Sequence, residues 1–162
     1  MAQFEIRKMK QHELARAVEI LSCWNMAPVA PSAACPEPEE TGLGIGSTFV
    51  AIVEGSIVGV SSYVLRGDGW AETASLAVDP AWRGKGVGES LQRARIEELK
   101  TLGIRHVKTE ADRPESIAWY LRKFGYRIAG TAPKKHKFGL EDVPHWTVLV
   151  LDLDRPVPDS TC

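Results

Sequence analysis

Little in this chain points to a membrane, an export route or a metal. No apolar run approaches the roughly 18 residues that a membrane-spanning helix needs. The opening Met1-Ala2-Gln3-Phe4-Glu5 lacks the basic and apolar layout of a signal peptide. Cysteine is scarce: Cys23, Cys35 and Cys162 are odd in number and share no metal-ligand spacing. Free thiols in the cytoplasm, and no metal, are therefore expected. Neither sign of charge dominates, and a formal net charge of -1 gives no reason to expect nucleic acid or an anionic membrane as partner. No internal repeat is visible. A length of 162 residues suits one domain with one core. That domain is expected over residues 1–154, followed by a frayed, proline-bearing tail, 155–162.

What the chain does have is glycine in one telling place. Val78-Asp79-Pro80-Ala81-Trp82-Arg83-Gly84-Lys85-Gly86-Val87-Gly88-Glu89-Ser90-Leu91 runs from the end of an apolar strand through a glycine turn into a long helix. Such a junction gathers unpaired N–H groups and the positive end of a helix dipole, which together seat a pyrophosphate. Glycine lets that backbone approach a ligand with no Cβ in the way. Two nucleotide motifs are excluded on spacing. The dinucleotide fingerprint needs a third glycine where Glu89 stands, and the Walker A loop needs glycine where Asp79 stands and Ser or Thr where Gly86 stands. A ligand-free glycine turn is the plain alternative, although three glycines within five residues exceed what a turn requires.

Periodicity organises the remainder into a single α/β unit. Phe4, Ile6 and Lys8 alternate as a first strand. Gln11 to Met26 reads as a helix with Leu14, Ala17, Val18 and Leu21 at helical spacing, broken by Pro28 and Pro31. Residues 27–46 read as a loop or a short helix between loops. Thr48–Glu54 and Ile57–Leu65 are β-rich runs joined by Gly55-Ser56, and Gly67-Asp68-Gly69 leads into a third, Trp70–Val78. Gly86–Leu102 is the long helix, with Leu91, Ala94, Arg95, Glu98 and Leu102 on one face and Gly103 at its end. A strand over His106–Ala111 precedes a helix opened by Arg113-Pro114-Glu115 and closed by Gly125. Tyr126–Ala132 and Trp146–Leu153 are the last strands, with a polar connection, 133–145, between them.

The stretch Arg83-x-x-Gly86-x-Gly88 resembles the R/Q-x-x-G-x-G/A pyrophosphate loop of the GNAT superfamily of acyl-CoA-dependent N-acetyltransferases. The preceding Val-x-Pro, the element order and the helix ending Phe124-Gly125-Tyr126 are similar to that family too, over about residues 3–153. The resemblance implies an α/β fold with a mixed, mostly antiparallel sheet flanked by helices. It implies acetyl transfer from acetyl-CoA to a primary amine by direct attack in a ternary complex, with no covalent intermediate. It also makes a homodimer an option. The pantetheine arm would pair with Leu76, Ala77 and Val78, which requires an open strand edge. The pyrophosphate would sit on N–H groups of Arg83, Gly84, Lys85, Gly86, Val87, Gly88 and Glu89. Ser116 falls near a family position that contacts CoA, or else caps its helix.

Direct attack requires a base, because a primary amine is mostly protonated at pH 7. Several family members carry a catalytic glutamate on the strand before the loop, where this chain has Glu72. Strict alternation would place Glu72, Ala74, Leu76 and Val78 on one face, where desolvation would raise the carboxyl pKa. The alternative is a solvated glutamate beside Trp70. The family's thiolate-protonating tyrosine lies four residues before the helix-ending glycine, a position held here by Leu121. Tyr120, one residue earlier, is the candidate acid; otherwise its ring is packing. His12 and His106 read as surface and strand residues. His136 and His145 border the acceptor side. Lys134, Lys135 and Lys137 read as a solvated basic turn or as contacts for an acidic acceptor or a CoA phosphate, Trp24 and Trp70 as core or as lining of the acceptor pocket, and Glu37, Glu39 and Glu40 as a solvated acidic loop or as a preference for a cationic amine.

Two other functions are consistent with the same residues. One is an acyl-CoA-binding or sensing module that lost the chemistry, favoured by the displaced tyrosine. The other is a cofactor-free interaction domain.

Overall fold

A computed structural model of the chain describes residues 3–27, 43–135 and 138–153. Cys35, Cys162, Glu37, Glu39, Glu40, His136, Lys137 and the tail 155–162 lie outside the described residues. Ten principal elements follow one another: β1 (Glu5–Lys8), α1 (Leu14–Ser22), β2 (Thr48–Val53), β3 (Ser56–Gly67), β4 (Trp70–Val78), α2 (Val87–Thr101), β5 (His106–Ala111), α3 (Pro114–Phe124), β6 (Arg127–Pro133) and β7 (His145–Asp152). They match the element order read from the sequence. The seven strands form one sheet in the order β1-β2-β3-β4-β5-β7-β6. Among the described residues only the β4–β5 pair is parallel. A parallel neighbour needs a crossover, and α2 provides it.

Helices cover both faces. On one, α1 lays Ala17, Ile20 and Leu21 onto Val50, Ile52, Val60 and Ala77. On the other, α2 lays Val87, Leu91, Ile96 and Leu99 onto Ala51, Val58, Ala71 and Val107. The buried face of α2 keeps Leu91 and Arg95 as expected but is rotated from the rest of the expected face, because Leu102 is exposed and Gln92 is fully buried. Gly59 of β3 allows the close approach of α2: a Cβ there would stand 2.8 Å from Leu91 Cδ1 and 2.9 Å from Val87 Cγ1. This contact fixes where the first turn of α2 sits on the sheet.

One irregularity governs the rest. The β3–β4 register slips between Ser62↔Ser75 and Tyr63↔Thr73, leaving Ala74 as the extra residue of a β-bulge. A bulge reverses the phase of alternation. Ala71 accordingly packs under α2, whereas Ala77, an even number of residues further on, packs under α1. Leu76 and Val78 face the α2 side. The expectation that Glu72 shares a face with Leu76 and Val78 is thereby corrected. Among the described residues no helix is long and apolar enough to cross a membrane.

Candidate active site

Strands β4 and β5 pair only from Trp70↔His106 to Thr73↔Thr109. Beyond that point β4 stays with β3 up to Val78, and β5 stays with β7 up to Ala111. The sheet opens as a V, and Leu76–Val78 form one free edge of it. Backbone phase shows which groups face the gap. Asp79 N–H donates to Val58 O at 2.8 Å, so Asp79, Ala77 and Ser75 turn their backbone groups toward β3. Leu76 and Val78 turn theirs toward the opening. The Trp24 indole confirms this, since its Nε1–H donates to Val78 O at 2.8 Å.

The V opens into a cavity of about 580 Å³. Its walls include Leu76–Val78, the first turn of α2, Glu110–Arg113 at the end of β5, and Ser116, Trp119 and Tyr120 of α3. The glycine loop meets it at the start of α2. Gly84 and Gly86 have φ of 73° and 83°, a region that other residues enter at a cost. Gly86 caps α2, and Ser90 N–H is the first to close back, on Gly86 O at 3.1 Å. The N–H groups of Val87, Gly88 and Glu89 therefore have no intrahelical acceptor. Gly88 is not required by packing, as a Cβ there would have ordinary contact with Val78 Cγ2 at 3.6 Å. Its bareness leaves the amides open to a ligand.

Charged side chains around this turn are engaged with neighbouring groups. Glu89 bonds Arg93 at 2.8 Å and Lys123 at 3.3 Å, and these cations hold its carboxyl below the ordinary carboxylate range. Arg83 lies 5.2 Å and Arg113 5.3 Å from the Trp24 ring. Lys85 lies over Trp82 at 5.7 Å and does not line the cavity.

The expected catalytic pair is not brought together. Tyr120 reaches the cavity wall and Leu121 does not. Its ring stacks edge-on against Trp119 and Tyr126, both at 5.0 Å, so it lines and packs at once. Glu72 stays outside the cavity, its carboxylate held by Arg66 at 2.9 Å. Ser116 lines the cavity but is no cap: Arg113 is the N-cap of α3, with Pro114 following it. Of the two readings for the tryptophans, Trp24 lines the cavity, whereas Trp70 is neither core nor lining: it is exposed and stacks on His106 at 4.7 Å. His106 pairs with Asp152 at 2.8 Å, and His145 is exposed.

Two carboxylates missed by the sequence reading are present. Glu110 follows the last β4–β5 pair by one residue and lines the cavity, with Lys108 Nζ at 3.1 Å. The signal was available: Val107, Thr109 and Ala111 alternate as the buried side of β5, leaving Lys108 and Glu110 on the other. Asp112 forms a buried ion pair with Lys134 at 2.7 Å, with side chains 7% and 5% exposed. Lys134 also donates to Phe138 O and Leu140 O, and Asp112 accepts from Leu140 N–H. This pair fastens the connection before β7, which was expected to be a solvated basic turn. From the other side, Asn25 and Gly139 exchange N–H···O bonds of 3.0 and 3.1 Å, which tie the segment after α1 to that connection beside the cavity.

Beneath the bulge lies a buried polar cluster. The Arg95 guanidinium, 1% exposed, donates from Nη1 to Ser75 O at 2.6 Å and Ser62 O at 3.1 Å. Its Nε and Nη2 donate to Gln92 Oε1, and Gln92 Nε2 donates to the Tyr126 hydroxyl at 2.9 Å. Burial pushes the Tyr126 hydroxyl pKa upward.

Residues 14–126 match the profile of the Acetyltransferase (GNAT) family. The chain belongs to the GNAT acetyltransferase family. Solved GNAT-fold structures resemble it over nearly its full length. The ribosomal-protein-S18-alanine N-acetyltransferase of Escherichia coli superposes with a TM-score of 0.72 at 18% identity, covering 97% of this chain and 98% of that one. The yncA protein of Salmonella typhimurium, solved with its cofactor acetyl-CoA, gives 0.70 at 18% identity over 99% of each chain. An N-acetyltransferase of Staphylococcus aureus Mu50 gives 0.67 at 24% identity over 93% and 98%. No curated protein sequence matches the chain significantly.

Proposed function

We propose that this GNAT protein transfers the acetyl group of acetyl-CoA to a primary amine in the cytoplasm, by direct attack within a ternary complex. The observation that carries the proposal is the junction of a free β4 edge with an unsatisfied helix N-terminus at one cavity. The first suits an extended pantetheine arm, whose amides add to a strand edge. The second suits a diphosphate. Acetyl-CoA supplies an activated acyl carbon on a thiol leaving group; the chain's residues supply position and proton transfer.

In this reading Val87, Gly88 and Glu89 donate N–H groups to the diphosphate, with Arg83 and the loop backbone beside them. Leu76 and Val78 present N–H and C=O groups to the pantetheine. Glu110 takes the proton of the incoming ammonium, directly or through water, and Tyr120 gives a proton to the departing sulfur. The roles fit their places, since both side chains line the cavity past the point where the strands part. Glu72, tied to Arg66, is the weaker candidate for base.

Titration calorimetry with acetyl-CoA, followed by CoA release over a panel of amines, tests the proposal. Binding with turnover of at least one amine is expected. Binding with no turnover on any amine would favour the sensing module, and no binding would favour an interaction domain. The sensing reading drew on the displaced tyrosine, and Tyr120 lines the cavity despite that displacement.

A further inference from the structure

Arg95 is a cation with no carboxylate partner among the described residues, sealed between α2 and the sheet. Arginine is almost never fully buried unless paired, because removing its charge from water is costly. Its hydrogen bonds here all go to neutral acceptors: the carbonyls of Ser62 and Ser75 and the side-chain oxygen of Gln92. The charge is therefore held in place but not cancelled.

The acceptor at 2.6 Å matters most. Ser75 O belongs to the same peptide unit as Leu76 N–H. A peptide group is planar, with its C=O and N–H pointing in opposite directions. Ser75 C=O points to the β3 side, where Arg95 meets it, so Leu76 N–H points into the opening between β4 and β5. Pulling electron density toward the oxygen of this unit strengthens its N–H as a donor, as in a hydrogen-bond chain. The bulge at Ala74 is what exposes both carbonyls to one guanidinium.

Resting on the proposed acetyl transfer, we infer that Arg95 is a positioning residue: its charge, relayed through the Ser75–Leu76 peptide, makes Leu76 N–H a strengthened donor to the thioester oxygen. As the amine nitrogen bonds to the acyl carbon, negative charge gathers on that oxygen. It returns to the carbon as the C–S bond breaks and the electron pair leaves on sulfur, which then takes a proton. A donor fixed where charge develops lowers the barrier without tightening the ground state in proportion. An uncompensated cation behind it, itself sealed from water, adds a favourable field.

The test compares Arg95→Met, which keeps much of the buried stem, with Arg95→Lys, which restores a charge. Acetyl-CoA binding is measured first by calorimetry. If the wild type does not bind, the proposed function falls and this inference with it. Given binding, Arg95→Met is expected to lower kcat about tenfold, less than the 10²–10³ lost when an oxyanion donor is itself removed. KM for acetyl-CoA should change by less than about threefold, and Arg95→Lys should recover most of the loss. An independent reading comes from infrared spectra of acetyl-CoA carrying ¹³C at the thioester carbonyl. Its stretch should move to lower wavenumber on the wild type and by less on Arg95→Met. An unchanged kcat, a KM that rises in step with the fall in kcat, a lysine no better than methionine, or identical carbonyl stretches would each remove the role assigned to Arg95 while leaving acetyl transfer intact. If Arg95→Met fails to fold, the wild type and Arg95→Lys carry the test: a carbonyl stretch on the wild type equal to that in water overturns the inference.

Discussion

The Trp24 indole N–H donates to the Val78 carbonyl across 2.8 Å, and thereby occupies an outward-facing acceptor on the free edge of β4. A pantetheine amide that pairs with Val78 must share this oxygen or displace the indole. Trp24→Phe keeps an aromatic ring between Arg83 and Arg113 but removes the donor. Stability in chemical denaturation should fall by about 1 kcal/mol, the net worth of one hydrogen bond. Acetyl-CoA affinity measured by calorimetry should rise by about two- to tenfold.

The two cradle glycines separate strain from access. Gly86 at φ 83° caps α2, so Gly86→Ala should cost about 1–2 kcal/mol of stability as well as affinity. Gly88 has ordinary backbone geometry and room for a Cβ. Gly88→Val should therefore melt within a few degrees of wild type yet bind acetyl-CoA about tenfold or more weakly, the loss of roughly one charge-assisted hydrogen bond. Parallel melting and calorimetry of the two variants check this.

Glu110→Gln should lower kcat at pH 7 by about 10²–10⁴, the usual contribution of a positioned base, with partial recovery at higher pH as the amine loses its proton in solution. Glu72→Gln should remain within about threefold of wild type at pH 7. A pH–rate profile for both variants decides which carboxylate serves.

The Asp112–Lys134 pair is buried, so its halves are unequal to the whole. Asp112→Asn or Lys134→Met alone leaves an uncompensated charge and should destabilise by about 3–5 kcal/mol. The double variant should regain part of that. Gly139 packs against the same pair, since a Cβ there would collide with the Asp112 carboxylate. Denaturant titrations of the single and double variants provide the cycle.

Glu13 gives an acid limit. Two hydrogen bonds from Arg7, each 2.8 Å, lower its carboxyl pKa from an ordinary 4.5 to about 2. The unfolded chain takes up that proton more readily, so the contribution to stability is complete above about 4.5 and fades as pH falls toward 2. Glu13→Gln should flatten the stability–pH curve in that window, as read by thermal melts at pH 5, 4, 3 and 2.5.

The sequence carried the element order, the helix ends at Gly103 and Gly125, and the glycine cradle, because each follows from local chemistry. It did not carry the β4 bulge. Thr73-Ala74-Ser75 are small residues that alternate as readily without a slip as with one, and the slip alone decides which face Glu72 shares. Nor did it carry Lys134 as a buried cation, and it set Arg95 on a face with Leu91 without showing what would receive the charge. A lysine beside other lysines reads as solvated, and a helix arginine has no visible partner, until the carboxylate and the carbonyls that receive them are placed by distant parts of the chain. Tyr120 lay one residue out of step by counting, yet α3 still sets it on the cavity wall.

The unpaired end of β4 has a cost in the absence of ligand. A row of amides left open for a pantetheine arm is equally open to any extended polypeptide that approaches it. On the proposed function, coenzyme A bound along this edge would mask it between turnovers. Without it, the same edge would be open to pairing with a second copy of the chain.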